Sequence, residues 1–154
     1  MLEKGNVFAI KDDKKLMERA KNYFIGQVMI QDISKIIQSK EEKLYYVTFI
    51  KGAKTKLHHH EAGQILIPTG GKGVLAIYKK IRQNHSGIKI KKIERISLAK
   101  GDAVYIPAGK LHWHGASSKK NLSHIAINAK LPGYKEAKTV WYESDFETFA
   151  NKIK

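Results

Sequence analysis

Residues 52–73 read GAKTKLHHHEAGQILIPTGGKG, and the fold is decided by how this stretch is read. His58 and His60 stand two apart in a segment that runs into the apolar Ile65, Leu66 and Ile67. Residues two apart on a β-strand share a face, so two imidazoles aim at one point while His59 turns to the other side, as a surface or supporting residue. Gln64 adds an amide four residues on, and the later segment LHWHG supplies His112 and His114, again two apart. By the same alternation Trp113 is a packing residue. Six of the seven histidines fall in these two segments and at His124.

The chain has no cysteine, so any metal is held by nitrogen and oxygen. Three imidazoles and an amide oxygen suit a divalent first-row metal and disfavour calcium and magnesium. Ligation through His58, His60, Gln64 and His112 would leave positions open for water or substrate. All four ligands are neutral, so the ion would keep its full charge and act as a Lewis acid. Manganese or iron is expected first, with zinc, nickel and cobalt behind them.

Around this centre, the runs GQVMI, LYYVTFI, QILIP, GVLAIYKKI, IKIKKIERISL, AVYIP and LSHIAINAKL are short, rich in β-branched and aromatic residues, and separated by turn formers. They predict an antiparallel barrel or sandwich. Turns are expected at Lys51-Gly52, at Thr69-Gly70-Gly71 and at Asn84-His85-Ser86-Gly87, which leaves His85 in a loop. The alternation of Ile88, Ile90, Ile93, Ile96 and Leu98 slips once, which predicts a β-bulge near Lys92. Ahead of the barrel, residues 1–25 read as an extension packed on it, with an apolar patch (Val7, Phe8, Ile10) and a helix capped by Asp12 or Asp13 that buries Leu16, Met17 and Ala20. Residues 26–142 are the barrel. Residues 143–154 are expected to form a C-terminal helix, since Ser144 and Glu147 have the spacing of a capping box.

At 154 residues the chain is the size of one domain. Its N-terminal stretch lacks the apolar core of a signal peptide, and no apolar run approaches the roughly 20 residues of a membrane span. A soluble cytoplasmic protein with no membrane partner is expected. The formal charge is +15, but only three of the 29 basic residues are arginine and the lysines are scattered over nearly every segment. Phosphate and base recognition favours arginine forks clustered on one face, so no nucleic-acid partner is expected. The field of such a surface does attract anionic substrates.

Gly52, His58, His60 and Gly71 match the first cupin motif, and Gly101, Pro107, Gly109 and His112 match the second. The chain thus resembles the cupins. The resemblance implies an all-β fold, a single small double-stranded β-helix (jelly-roll) barrel with short N- and C-terminal helical segments and a metal in its mouth. Two positions depart from the general motif: Gln64 stands where an acidic ligand is usual, and Ala116 where an asparagine is usual. The first departure recurs in a narrower group, the bacterial metal-dependent cupin hydroxynitrile lyases and their uncharacterised relatives. The chain resembles them from YFIGQVMI through VTFIKGAKTKLHHHEAGQILI and GDAVYIPAGKLHWHGA to LSHIAI and VWYE. Leu57, His59 and Glu61 differ from that group's usual tryptophan, threonine and proline.

Position by position, the resemblance implies His58, His60, Gln64 and His112 as metal ligands and His114 as a catalytic base. It also implies His124 as a further polar pocket residue, with Tyr45 and Val47 lining the substrate cavity. The activity implied is cleavage of a small hydroxynitrile, or related chemistry on a small hydroxy or carbonyl compound. A metal-dependent dioxygenase and a non-catalytic small-ligand-binding cupin are the alternatives. A homodimer is expected, paired through sheet edges, with the Val7–Ile10 patch as an exchanged edge strand.

Overall fold

The computed structural model describes residues 3–9 and 11–154. Helix α1 (Lys14–Ala20) begins where a cap is expected, with the Asp13 carboxylate accepting the Leu16 N–H at 2.9 Å. The chain then forms β1 (Phe24–Ile25), β2 (Val28–Asp32), the one-turn helix α2 (Ser34–Ile37), β3 (Glu42–Phe49), β4 (Lys54–Thr55), β5 (Leu57–His60) and β6 (Gln64–Asn84). After these come β7 (Gly87–Ala99), β8 (Val104–Ile106), β9 (Leu111–Ala116), β10 (Leu122–Ala129), β11 (Thr139–Ser144) and β12 (Phe149–Lys152). Every pairing among these strands is antiparallel. No described helix is long and apolar enough to cross a membrane.

β6 joins two sheets. Its first half pairs with β10 and β8, extending the sheet of β2 and β3, and its second half pairs with β7 and β9 in the opposing sheet. Thr69-Gly70-Gly71, expected as a turn, therefore bends β6 from one sheet into the other without ending it. Gly71 makes the bend: its φ is 78°, and a Cβ there would stand 1.8 Å from the Asn121 carbonyl oxygen.

Between the sheets lies a core that includes Ile30, Val47, Phe49, Leu66, Leu75, Leu98, Ile106 and Leu122. A second core backs the β5–β9 sheet, where Leu57, Tyr78, Ile88, Ile90, Leu111, Trp113 and Tyr142 pack beneath β7, β11 and β12. All six residues of β9 are buried, because alternate side chains enter one core and then the other. His112 and His114 face the barrel interior. Trp113 packs behind, as alternation requires, with its indole N–H donated to the Tyr78 hydroxyl at 3.1 Å.

The slip in β7 falls where it is expected: Ile77 pairs with Glu94 and Tyr78 with Lys92, leaving Ile93 as the bulged residue. The C-terminal helix does not form. Residues 149–152 are strand β12, which fills the gap between β11 and β7. Asp145 decides this, because its carboxylate accepts the backbone N–H groups of Glu147, Thr148 and Phe149 and closes a tight loop in place of a first helical turn. Of the patch expected as an exchanged edge strand, residues 7–9 form a turn, and Ile10 lies outside the described residues. Phe8 stands edge-on to Tyr46, with ring centroids 5.8 Å apart.

Candidate metal centre

β5 and β9 lie side by side with His58 directly opposite His112, and their ring centroids are 4.2 Å apart. Both rings are held from behind by their own strands. His58 Nδ1 bonds the Lys56 carbonyl at 2.9 Å and His112 Nδ1 bonds the Lys110 carbonyl at 2.7 Å. A carbonyl only accepts, so Nδ1 carries the proton in each ring and Nε2 keeps its lone pair. His60 Nδ1 is held by the Thr139 hydroxyl at 2.9 Å. Such anchoring is what fixes tautomer and orientation in metal-binding histidines.

Gln64 is oriented in the same manner. Its register partner on β10 is Asn128, whose Oδ1 accepts the Gln64 amide N–H at 2.7 Å. Gln64 Oε1 is left buried with no partner, as are Nε2 of His60 and of His112. Buried polar atoms without partners are rare, and two on one cavity with a third on the ring behind His58 fit a ligand that accepts lone pairs.

His58, His112 and His114 bring ring nitrogens within 4.8 Å of one another. His60 and Gln64 line the same cavity outside that trio, with the His60 ring 4.9 Å from His58. The His114 ring is free at Nδ1, although its backbone N–H donates to the Thr55 hydroxyl at 3.1 Å. His124 lies 5.1 Å from His114, wholly buried, with neither ring nitrogen partnered. Phe49 packs against both of these rings.

Burial keeps all of these imidazoles neutral. It pushes His60 down to about 4, His112 to about 3 and His124 to about 4. His58 and His114 are driven well below the usual histidine range by burial first and then by neighbouring imidazoles. Burial, with help from Asp32 and Glu136, raises the Tyr45 hydroxyl to about 12.

The cavity measures about 190 Å³. His58, His60, Gln64, His114, His124, Tyr45 and Val47 all line it, whereas His112 sits behind His58. Its far wall is apolar, formed by Leu16, Ala20 and Phe24 of the N-terminal segment together with Ile30 and Phe49. Trp141 stacks on His58 at 4.3 Å, and Tyr23 stacks on Trp141 at 4.7 Å. His59 lies outside, on the second-core face, 3.3 Å from the Tyr142 hydroxyl. Asn128, Thr139 and Trp141 are cavity-lining positions that the sequence reading did not pick out. Alternation carries a signal for them, since Asn128 shares a strand face with His124, and Thr139 and Trp141 share one face of β11.

No protein-family model matches the chain. It is 38% identical over 87 residues to an (R)-mandelonitrile lyase of Granulicella tundricola, a match spanning 56% of each protein. The chain thus spans a little over half the length of that relative. A crystal structure of a cupin-like protein from Thermotoga maritima superposes with a TM-score of 0.64 at 28% identity, covering 93% of this chain and 94% of that one. An oxalate decarboxylase variant of Bacillus subtilis shares the fold alone, with a TM-score of 0.53 at 19% identity over 75% of this chain and 28% of that one. Two apposed antiparallel sheets, a histidine cluster on the paired strands β5 and β9, and these likenesses show that the chain has the fold of a small cupin.

Proposed function

We propose that the protein is a metal-dependent enzyme that cleaves a small hydroxynitrile into a carbonyl compound and hydrogen cyanide. His58, His60, Gln64 and His112 would hold the metal. What favours His60 over His114 as the third imidazole is anchoring: His60 is held at Nδ1 by Thr139, and the His114 ring is not held at Nδ1. A divalent ion there, manganese or iron first, supplies Lewis acidity toward a substrate hydroxyl.

The observation that carries the reading is the His114 ring, neutral and unpartnered at Nδ1, beside the proposed ligands and at the edge of an apolar cavity. A neutral imidazole in that place accepts the proton of the polarised hydroxyl. As the carbon–carbon bond to the nitrile breaks, its electron pair leaves with cyanide, the carbonyl forms, and the proton on His114 returns to the leaving group. Phe24, Ile30, Val47 and Phe49 give the organic substituent an apolar seat and exclude water from it. The mandelonitrile lyase likeness supports this choice among cupin reactions.

The test is release of benzaldehyde and cyanide from mandelonitrile by protein reconstituted in turn with manganese, iron, cobalt, nickel and zinc. Turnover that His114→Ala abolishes while metal content is retained is the expected result. Absence of aldehyde release with every metal refutes it. Tight uptake of aromatic alcohols without turnover would then assign a ligand-binding role, and oxygen consumption with an enol would assign an oxygenase.

A further inference from the structure

Behind the His60 side of the main cavity lies a second, smaller one of about 90 Å³. Four side chains, Tyr45, His60, Asn128 and Thr139, line both, and so form the wall between them. The large chamber is mostly apolar. The small one is completed by Lys43, Glu136 and four alanine or glycine residues, Ala62, Gly63, Ala129 and Ala137.

The register explains why a lysine is there. Lys43 on β3 pairs with Asn128 on β10, which pairs with Gln64 on β6, so the three residues form one inward-facing row across the sheet. Gln64 takes Asn128 Oδ1 as its acceptor, which leaves the Asn128 amide N–H groups to face elsewhere. The Tyr45 hydroxyl makes no hydrogen bond among the described residues. Lys43 Nζ lies 3.7 Å from Glu136 Oε1, and Lys130 Nζ lies 3.7 Å from the same oxygen. Those separations are ion pairs but not hydrogen bonds, so the ammonium protons are unspent. Two ammonium groups share one carboxylate, and the lysine side chains are 28% and 14% exposed against 65% for Glu136. Of the three, Lys43 and Glu136 line the chamber and Lys130 stands outside its lining, so Glu136 is shared with a second cation and offsets Lys43 only in part.

The chamber thus combines an ammonium group whose counter-ion is shared with Lys130, donors from Lys43, Asn128 and Tyr45, and a volume equal to about three waters at roughly 30 Å³ each. We propose that it is a binding site for a small monoanion of two or three heavy atoms, set beside the metal centre and separate from the seat of the organic group. On the lyase reading its ligand in the reaction is the cyanide ion after it has left carbon and before it takes up the His114 proton, while the aldehyde stays in the apolar chamber. That assignment rests on the proposed function. The anion site itself does not.

Sodium bromide is the probe, used on the full chain with metal removed by chelator. Crystals soaked in it should show an anomalous bromide peak between Lys43 and Tyr45, and bromide line broadening in solution gives the affinity. Lys43→Met should weaken binding at least tenfold, and Glu136→Gln should tighten it severalfold, a gain that misfolding cannot mimic. Lys119→Met, on an exposed loop, is the control and should change nothing. A peak only elsewhere, or affinity indifferent to Lys43 and Glu136, means an adventitious ion only and overturns the site. Because no metal and no cyanohydrin are present, failure of cyanohydrin cleavage leaves the bromide result standing, and cleavage without bromide binding refutes the chamber alone.

Discussion

Acid should unfold the metal-free protein far more readily than the metal-loaded one, because four buried imidazoles and the half-buried His60 are neutral in the fold. His60, His112 and His124 have folded values of about 4, 3 and 4 against an ordinary 6.5. A base whose folded pKa is depressed binds its proton preferentially in the unfolded chain. Its contribution to stability is complete above 6.5 and is lost as pH falls from there toward the folded value. At about pH 5 each of the three favours unfolding by about 2 kcal/mol, or about 6 kcal/mol together. His58 and His114, also pushed down by burial, act in the same direction. A domain has only about 5–15 kcal/mol to lose, so the metal-free fold should fail near pH 5.

With a divalent ion held by the proposed ligands, His58, His60 and His112 would no longer meet protons as free bases, and protons would first have to displace the ion. The acid transition then moves lower. Urea unfolding at stepped pH, with chelator and with each metal, measures both curves. A metal-free unfolding free energy that changes by less than about 1 kcal/mol between pH 7 and pH 5 would refute the claim that these rings are dry and neutral. Equal acid sensitivity with and without metal would refute the ligand assignment.

Asn128→Leu removes the acceptor that orients Gln64 and should weaken metal affinity by about 10–100-fold while leaving the far-ultraviolet spectrum intact; competition with a chromophoric chelator checks it. His124→Leu replaces a wholly buried ring with two unpartnered nitrogens and should stabilise the metal-free protein by about 1–3 kcal/mol, so a lowered melting temperature contradicts it. The outward face of the β3–β10–β6–β8 sheet carries the rows Leu44–Ile127–Ile65–Tyr105 and Tyr46–Ile125–Ile67 without a charge. On a chain of formal charge +15 that is the face on which a second copy would meet least repulsion. Light scattering should show a dimer that Ile65→Lys converts to monomer, and a wild-type monomer refutes it.

Whatever depended on β alternation was legible in the chain. His58 and His60 share a face, His59 and Trp113 oppose it, and the bulge at Ile93 follows from one slip in a run of isoleucines. What escaped were residues whose role is set by a partner far along the chain. Thr139 matters because β11 happens to lie against β5, and Asn128 because β10 lies between β3 and β6. The C-terminus misled for another reason. Ser144 and Glu147 have capping-box spacing, but an aspartate between them offers the backbone a closed loop, and the open edges of β11 and β7 reward a strand over a helix.

Gln64 ties these threads together, and replacing it with glutamate tests the whole arrangement. A carboxylate at position 64 only accepts, so it cannot donate to Asn128 Oδ1; Asn128 must turn its amide N–H toward position 64, and the small chamber loses that donor. The new negative charge also lies in the Lys43–Asn128 row and offsets the ammonium excess. Metal affinity should therefore rise, because a charged ligand replaces a neutral one, while bromide affinity in the metal-free protein falls severalfold. The two effects have opposite signs, so neither misfolding nor a general change in stability produces both. Bromide binding unchanged by Gln64→Glu would show that the row does not act as a unit, and that the neutrality of Gln64 has no bearing on the small chamber beside it.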